Sequence, residues 1–294
     1  MGIKSGLGHL LSAFCRAAPA ALGPGRVFER LRWRLGMAAY RLIGNSPADA
    51  QLRVVLARNG ARMELALDEF VDRSIYCTGE WEPRETELIR RRLRPGDCMV
   101  DVGSYIGWFT LLGARLVGPA GRVIAFEANP ATYARLQRNL SLNGLTQVEP
   151  HNRAVGDQPG RVRIGSRTPG NAGGDFVDFS QSDAADGVEV VLLDDVLRDQ
   201  SVRVLKIDIE GAEAKALRGA RELMARADAP DLVLELTPAY IRAAGDDPAE
   251  LVELLRSSGY RLLEIGQFAL ALPQGDLAKR EQTYLYCTKD LELG

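Results

Sequence analysis

Short apolar runs alternate with amphipathic segments through most of this chain. The apolar runs are rich in aliphatic residues and bounded by Gly, Pro, Asn or Asp, which is typical of buried strands, whereas the segments between them have helical spacing. Two predicted strands end at residues 103 and 127, and four more cover 147–154, 188–192, 202–209 and 232–236. Predicted helices cover 85–93, 106–117, 131–142, 212–226 and 248–257. Residues 260–265 and 283–287 are predicted to form a hairpin pair. This alternation predicts an α/β fold with a seven-stranded, mostly parallel sheet and an antiparallel C-terminal hairpin strand.

The first 68 residues do not follow this alternation. They predict an N-terminal extension, with the main domain covering 69–294, and short strands are expected at 53–67 and 71–77. Residues 26–43 fit one helix with an apolar face (Val27, Leu31, Leu35, Ala38, Leu42) that arginines flank (Arg30, Arg34, Arg41). We expect this face to pack on the main domain and the arginines to be exposed. The alternative is a basic amphipathic helix that lies on a membrane or closes over substrate.

Residues 165–187 interrupt the main domain with a polar segment. It is rich in Gly, Ser, Asp and Asn, and its apolar residues are Phe176, Val177 and Phe179. Segments of this length without regular structure are usually functional or mobile. We therefore expect a mobile insertion loop.

The stretch from Cys98 to Pro130 predicts a nucleoside-binding βαβ unit. The first strand ends at Asp101-Val102-Gly103, a turn runs to Gly107, a helix follows, and the second strand ends at Glu127. In an open parallel sheet the turn and the acid lie at the same carboxyl edge. Glu127 is then placed to accept hydrogen bonds from the ribose hydroxyls of a bound nucleoside.

The spacing of the glycines distinguishes between nucleoside cofactors. A dinucleotide site usually has Gly-x-Gly-x-x-Gly around a pyrophosphate, whereas this loop has Gly-x-x-x-Gly with Tyr105 between Gly103 and Gly107. Carboxylates near the loop, Asp101 among them, would repel a pyrophosphate but suit an ammonium and a sulfonium. The loop therefore favours S-adenosylmethionine. The alternatives are an NAD-linked oxidoreductase and a non-catalytic binding module that keeps the fold.

A second cluster of charge follows the strand that ends near 209. The segment from Lys206 to Glu213 reads Lys-Ile-Asp-Ile-Glu-Gly-Ala-Glu. Asp208 comes at the carboxyl end of a central strand, beside the first turn, where it faces both a methyl donor and an acceptor. A purely structural explanation is that Lys206 and Glu213 form an ion pair and that Glu210 caps the next helix, close to the helix dipole. We expect this explanation to hold for one or two of these residues but not for Asp208.

Six ordered motifs in this chain resemble those of the FkbM-type methyltransferase family. They are DVGSYIG, AFEANP, NLSLNG, AVGD, LLDDVL and LKIDIEGAE, and the resemblance covers about residues 70–288. It implies a class I (Rossmann-like) fold, S-adenosylmethionine as donor, and O-methylation of a hydroxyl on a sugar, glycan or secondary metabolite. Matched positions are Asp101, Gly103 and Gly107 in the cofactor loop, Glu127 at the ribose, and Asp208 beside the methyl group.

Two motifs depart from the family pattern. The family loop usually reads D-V-G-A-N-x-G, but this chain has Ser104 and Tyr105, and the usual Glu-Pro is replaced by Glu127-Ala128. All carboxylates and glycines of the motifs are kept. We therefore retain Ser104, Tyr105 and Ala128 as predicted cofactor contacts, together with Ala154 of the AVGD motif.

An alcohol acceptor must lose its proton as the new bond forms, so the site needs a base or a metal ion. The candidate bases are His151, Asp208, Glu210 and Glu235; of these, His151, Asp208 and Glu210 are the predicted catalytic residues. Histidine matches neutral pH best, but His151 is expected near the adenine. Asp208 and Glu235 could alternatively hold a divalent cation such as Mg²⁺.

Net charge and cysteine content limit the expected classes of binding partner and the expected compartment. The net charge of −2 disfavours nucleic acid as a partner. Methyltransferases that act on the exocyclic amines of bases typically carry an Asn/Asp-Pro-Pro-aromatic motif after the fourth strand, and this chain has Asp208-Ile209-Glu210-Gly211 there. Residues 1–62 carry ten Lys/Arg against two acids, which leaves peripheral contact with the inner face of a membrane open. Four scattered cysteines indicate a cytoplasmic protein. A glycan or small-molecule acceptor is expected.

Overall fold

Two helices, a hairpin and a third helix precede the alternating part of the fold. The structure, a computed structural model, describes residues 3–17, 26–43, 52–167, 172–181, 186–266 and 269–290. The predicted extension, residues 1–68, contains α1 (Ile3–Ala17), α2 (Arg26–Leu42), β1 (Arg53–Leu56) and β2 (Arg62–Leu65), and β1 pairs antiparallel with β2; α3 (Phe70–Thr78) follows. The strand predicted at 71–77 is wrong. Its β-prone residues lie in α3, which buries Val71, Ile75 and Tyr76 on one face, and packing overrides local propensity.

Helix α2 confirms the predicted helix but not its predicted inward face. The buried residues are Arg32, Gly36, Ala39 and Ile43, whereas Leu31 of the predicted face is 52% exposed. Arg32 is buried because its guanidinium donates to the Thr78 carbonyl and pairs with Glu80. The sequence pattern counts Arg32 as a surface residue, so it rotates the inward face by about one position.

The main domain alternates helices and strands as expected. Its elements are α4 (Pro83–Arg92), β3 (Cys98–Val102), α5 (Trp108–Val117), β4 (Arg122–Phe126), α6 (Pro130–Asn143), β5 (Val148–His151), β6 (Ala154–Val155), β7 (Gly160–Ser166), β8 (Asp175–Asp178), β9 (Val188–Val191), α7 (Leu193–Val196), β10 (Val204–Ile207), α8 (Glu213–Arg218), α9 (Arg221–Ala225), β11 (Asp231–Leu236), α10 (Pro238–Ala243), α11 (Pro248–Ser257), β12 (Arg261–Ile265), β13 (Leu270–Ala271) and β14 (Thr283–Thr288). The helix predicted at 212–226 is divided between α8 and α9. Gly219 lies at the break, where a Cβ would come within 2.0 Å of the Gly156 carbonyl oxygen.

The central sheet has the order β13-β12-β14-β11-β10-β3-β4-β5. Strands β11, β10, β3, β4 and β5 are parallel, and β14 runs antiparallel between β11 and β12. Seven strands plus the two-residue β13 confirm the predicted class I methyltransferase architecture with its antiparallel hairpin strand. Because β10, β3 and β4 are neighbours, the residues that follow them meet at one carboxyl edge.

A second sheet, of order β6-β9-β7-β8, is built beside the main one. It includes residues 165–166 and 175–178 of the predicted insertion, where β8 pairs antiparallel with β7 through Gly165 and Phe176. Residues 168–171 and 182–185 of that insertion lie outside the described residues. Regular pairing therefore accounts for part of a segment predicted to be a loop, and its mobility stays a prediction.

Apolar residues cover both faces of the central sheet. Met99, Leu111 and Val123 belong to one buried cluster, which continues into the extension through Ile43 and Met63. The second cluster, on the other face, joins the sheet to α8, α9 and α11. Among the described helices, none has the length and apolar character needed to cross a bilayer.

Candidate active site

The turn after β3 brings two strands into very close contact. Gly103 has a φ of 81°, and a Cβ at this position would lie 1.8 Å from the carbonyl oxygen of Asp208. No side chain fits there, so the glycine is required for both conformation and space. The close approach places the first turn directly against the residues that follow β10.

Tyr105 connects the turn after β3 to helix α3. Its φ is 51°, its backbone N–H donates to Glu127 Oε2 at 2.8 Å, and its hydroxyl donates to Asp72 Oδ1 at 2.9 Å. Asp72, in α3, is fully buried and forms an ion pair with Arg135. The sequence indicated only that Tyr105 is unusual in this loop. Its partner Asp72, 33 residues earlier, carried no recognisable signal.

Glu127 lies at the end of β4 with both carboxylate oxygens held by backbone donors. Oε2 accepts from Tyr105 and Oε1 accepts from the Asn129 N–H at 2.8 Å. Burial raises the pKa of Glu127 to about 7, while the two N–H donors act in the opposite direction. Each oxygen keeps a lone pair, so the side chain has a fixed direction and spare acceptor capacity.

A cavity opens at this carboxyl edge. It is lined by six predicted cofactor contacts (Gly103, Tyr105, Glu127, Ala128, Ala154, Asp208) and by the predicted catalytic residue Glu210. The other three predicted contacts lie behind its wall. Asp101 is buried and accepts from Thr110 Oγ1 at 2.6 Å, the Ser104 hydroxyl donates to the Phe126 carbonyl at 2.8 Å, and Gly107 begins α5. These three residues therefore stabilise the turn after β3 without lining the cavity.

The insertion covers the cavity, which the sequence did not predict. Ala172, Gly173, Asp175 and Val177 line it. Asp175 accepts from the Asn129 side-chain amide at 2.7 Å, and the Ala172 N–H donates to Glu69 Oε2 at 2.8 Å. The only signal was an unusually long polar segment with a few apolar residues.

Asp208 and Lys206 form a buried ion pair beside the cavity. Lys206 Nζ is 3.1 Å from Asp208 Oδ2 and 4.0 Å from Asp101 Oδ1. Burial favours the neutral acid, but the charge of Lys206 outweighs it and lowers the pKa of Asp208. Lys206 thus pairs with Asp208 rather than with Glu213, so the ion pair considered for Lys206 and Glu213 is wrong. Glu213 instead accepts from the backbone N–H groups of residues 209 and 211, both at 3.1 Å.

Two further acids are held in a protonated or nearly protonated state. Burial and the charge of Asp208 raise the pKa of Glu235 to about 10, so Glu235 is neutral and hydrogen-bonds to Asp208. Burial and the same charge raise the pKa of Glu210 to about 8, against the effect of Arg167, whose Nη1 is 3.6 Å from Glu210 Oε2. Glu210 has a φ of 56° and lines the cavity. Glu210 does not cap the next helix: among the described residues, its side chain makes no hydrogen bond to the start of that helix.

Glu82 extends this acidic cluster away from the cavity. It has a φ of 41°, its Oε1 accepts from the Tyr284 hydroxyl at 3.0 Å, and its Oε2 is buried without a hydrogen-bond partner among the described residues. Burial and the charge of Asp208 raise the pKa of Glu82 to about 8. Gln282 donates to Glu235 on the same side. Sequence reasoning missed this group because Glu82 and Tyr284 are 202 positions apart.

His151 lies at the end of β5, outside the cavity lining. Its ring stacks on Phe126 with centroids 5.0 Å apart, and Nε2 is 3.0 Å from Glu149 Oε1. Burial lowers the pKa of His151, although Glu149 acts in the opposite direction. His151 is not among the residues that line the cavity, and its role near an adenine or as a base stays a prediction.

The acid cluster also has the donor set of a cation site. One oxygen from each of Asp208, Glu210 and Glu235 lies within 4.8 Å of the others, and oxygen donors suit Mg²⁺. One oxygen of Asp208 already accepts a hydrogen bond from Lys206.

A wider groove lies at the opposite, amino edge of the sheet, around Asp97, Arg122 and Gln200, and contains none of the motif residues.

Comparisons with known proteins agree with this geometry. The model of the methyltransferase FkbM domain matches residues 101–262, more than half of the chain. "31-O-demethyl-FK506 methyltransferase FkbM" of Streptomyces tacrolimicus is 29% identical over 203 residues, covering 58% of this chain and 75% of that protein. "Methyltransferase 1" of Beauveria bassiana is 30% identical over 143 residues, covering 41% of this chain and 57% of that protein.

Among solved structures, methyltransferase FkbM from Methylobacillus flagellatus aligns at 22% identity with a TM-score of 0.42, covering 74% of this chain and 52% of that one. The matched region thus spans less than two thirds of the length of the Beauveria and Methylobacillus proteins. The family-model match carries the assignment, since it includes the turn after β3, Glu127 and Asp208. The chain belongs to the methyltransferase FkbM family.

Proposed function

We propose that this protein is an S-adenosylmethionine-dependent O-methyltransferase that acts on a hydroxyl of a sugar, glycan or secondary metabolite. The observation that carries this proposal is the single cavity that Gly103, Glu127 and Asp208 line together. The name of the Streptomyces relative, 31-O-demethyl-FK506 methyltransferase, supports an oxygen acceptor. The free, buried cysteines of the described residues support a reducing compartment, the cytoplasm.

The residues around the cavity fit S-adenosylmethionine. Glu127 is oriented by two backbone donors and keeps lone pairs for two ribose hydroxyls. The carboxylates of Glu127, Asp208 and Asp175 near the cavity favour a cationic cofactor over a pyrophosphate. The cofactor would supply an electrophilic methyl group; the protein must orient the acceptor and remove its proton.

Glu210 is the proposed base. It faces the cavity, and its pKa of about 8 matches a group that takes up a proton near neutral pH. Asp208 remains ionised through Lys206 and so is the weaker base, but its charge can hold the acceptor hydroxyl and stabilise positive charge that develops there. A divalent cation held by Asp208, Glu210 and Glu235 is the competing way to activate the hydroxyl.

The choice of base predicts a pH profile. Because Glu210 must be ionised to accept a proton and its pKa is raised to about 8, kcat should rise about tenfold per pH unit below 8 and become constant above it. Glu210→Gln should remove this rise and lower kcat by about 10²–10³. Steady-state kinetics from pH 6 to 9.5 would measure both. A flat wild-type profile, or activity lost to a chelator and restored by Mg²⁺, would contradict proton transfer to Glu210.

Cofactor identity is tested by calorimetry on the full chain. We expect S-adenosylhomocysteine to bind with micromolar affinity and NAD to give no heat, because the loop lacks a pyrophosphate site. Binding of NAD alone would assign the chain to the oxidoreductases. Binding of neither would favour a non-catalytic module.

A further inference from the structure

Exposed apolar side chains are concentrated in the basic N-terminal extension. Of the ten large hydrophobic residues found exposed among the described residues, nine come before residue 71: Leu7, Leu10, Phe14, Leu31, Trp33, Leu52, Val54, Leu56 and Phe70. The same part of the chain carries the excess of positive charge, about +8 over residues 1–62, whereas the remainder is acidic. Scattered apolar residues on a surface are ordinary, but this coincidence with positive charge needs an explanation.

Helix α1 presents a continuous apolar stripe to solvent. Leu7, Leu10 and Phe14 have the spacing i, i+3, i+7 and are 52%, 71% and 51% exposed. The opposite face is attached to the protein: a Cβ at Gly8 would lie 2.9 Å from Ile43, and His9 Nδ1 is 2.9 Å from the Tyr76 hydroxyl. The stripe is therefore held facing outward rather than hidden by rotation of the helix.

Helix α2, which packs against α1, also exposes aromatic and cationic side chains. Leu31 and Trp33 are exposed, and so are Arg34 and Arg41, which are seven positions apart and thus lie on one side of the helix. Arg34 follows Leu31 by three positions, so apolar and cationic side chains are neighbours. Leucine, tryptophan and arginine in this arrangement are typical of helices that lie in a membrane interface.

We propose that α1 and α2 form a docking surface for an anionic lipid bilayer, so that the enzyme acts on an acceptor held at the membrane. Lys and Arg near an anionic surface each contribute to binding, and apolar side chains contribute by entering the headgroup region. The acidic main domain is repelled by the same surface, which orients the extension toward the lipid. The part of this inference that concerns the acceptor rests on the proposed function.

Side-chain contacts connect α2 and α3 to the active site. Arg32, on the buried side of α2, pairs with Glu80, two residues before Glu82, and α3 contacts the cofactor loop through Asp72 and Tyr105. The helices proposed to dock on the membrane are therefore linked to the elements that build the site.

Vesicle sedimentation of the full chain tests this proposal. We expect binding to vesicles of phosphatidylcholine with 30% phosphatidylglycerol and at least tenfold weaker binding to pure phosphatidylcholine. Arg34→Gln with Arg41→Gln should lower the partition coefficient about thirtyfold at low salt. Leu10→Ser with Phe14→Ser should lower it at least tenfold. Matched controls are Arg221→Gln and Leu272→Ser, an exposed arginine and an exposed leucine of the main domain, which should leave it unchanged.

Two results would overturn the proposal. One is equal or absent binding of the wild-type chain to both kinds of vesicle. The other is a stable dimer in light scattering that Leu10→Ser with Phe14→Ser converts to a monomer, because a second copy would then cover the stripe. Calorimetry with S-adenosylhomocysteine on the same variants separates this test from the proposed function, because the cofactor should bind every variant equally.

Discussion

Replacing Asp208 with asparagine should lower kcat about a thousandfold. Asp208 is the ionised carboxylate that joins Lys206, the neutral Glu235 and the cavity. The asparagine keeps the shape but removes the charge that would hold the acceptor hydroxyl, and charge stabilisation in a buried site is among the largest catalytic effects. Single-turnover methylation of a hydroxylated acceptor found by screening would measure the loss.

Loss of the charge also leaves Lys206 without its closest partner, so activity and stability must be separated. The double variant Lys206→Met with Asp208→Asn removes the buried unpaired cation and should recover stability without recovering activity. Asp195→Asn, which removes an exposed carboxylate paired with Arg198, is the matched control and should behave as wild type. A kcat within threefold of wild type for Asp208→Asn would show that this carboxylate does not act in the reaction.

Replacing Glu127 with glutamine should weaken binding of S-adenosylhomocysteine at least a hundredfold. Both oxygens of Glu127 accept backbone N–H groups, from Tyr105 and Asn129. Glutamine must turn its NH₂ toward one of these donors, which breaks that bond, and its neutral group is a weaker acceptor for the ribose. Two hydrogen bonds to a charged acceptor are together worth about 3 kcal/mol or more, which corresponds to about a hundredfold.

Calorimetry on Glu127→Gln would measure this loss directly, without an acceptor. Glu87→Gln, an exposed carboxyl of α4 paired with Arg91, is the matched control and should bind as wild type. Unchanged affinity in Glu127→Gln would mean that the ribose is bound elsewhere. A lower melting temperature without weaker binding would assign Glu127 to positioning of the loop around Tyr105.

Much of the fold and half of the site followed from local sequence pattern. The βα alternation predicted the order of strands around β3, and parallel strands must bring their carboxyl ends to one edge, so Gly103, Glu127 and Asp208 were expected to meet. The inward face of α2 was not predictable in this way. A buried arginine, Arg32, looks like a surface residue until its partners Glu80 and Thr78 are known.

Long-range contacts set the chemistry of the acids. Glu82 and Tyr284 come together over 202 positions, and Tyr105 reaches Asp72 across a different element. None of these contacts leaves a periodic signal, because periodicity reports the side on which a residue lies but not what lies opposite to it.

The sequence by itself determined which residues stand at the ends of the parallel strands, since alternation and turn residues are local properties. It thereby determined the candidate cofactor turn, the candidate ribose carboxylate Glu127, and Asp208. Only the tertiary structure decided which acids are ionised, with Asp208 charged, Glu235 neutral and Glu210 near its pKa of about 8. The physical reason is that a pKa depends on burial and on neighbouring charges, and folding brings both from distant parts of the chain.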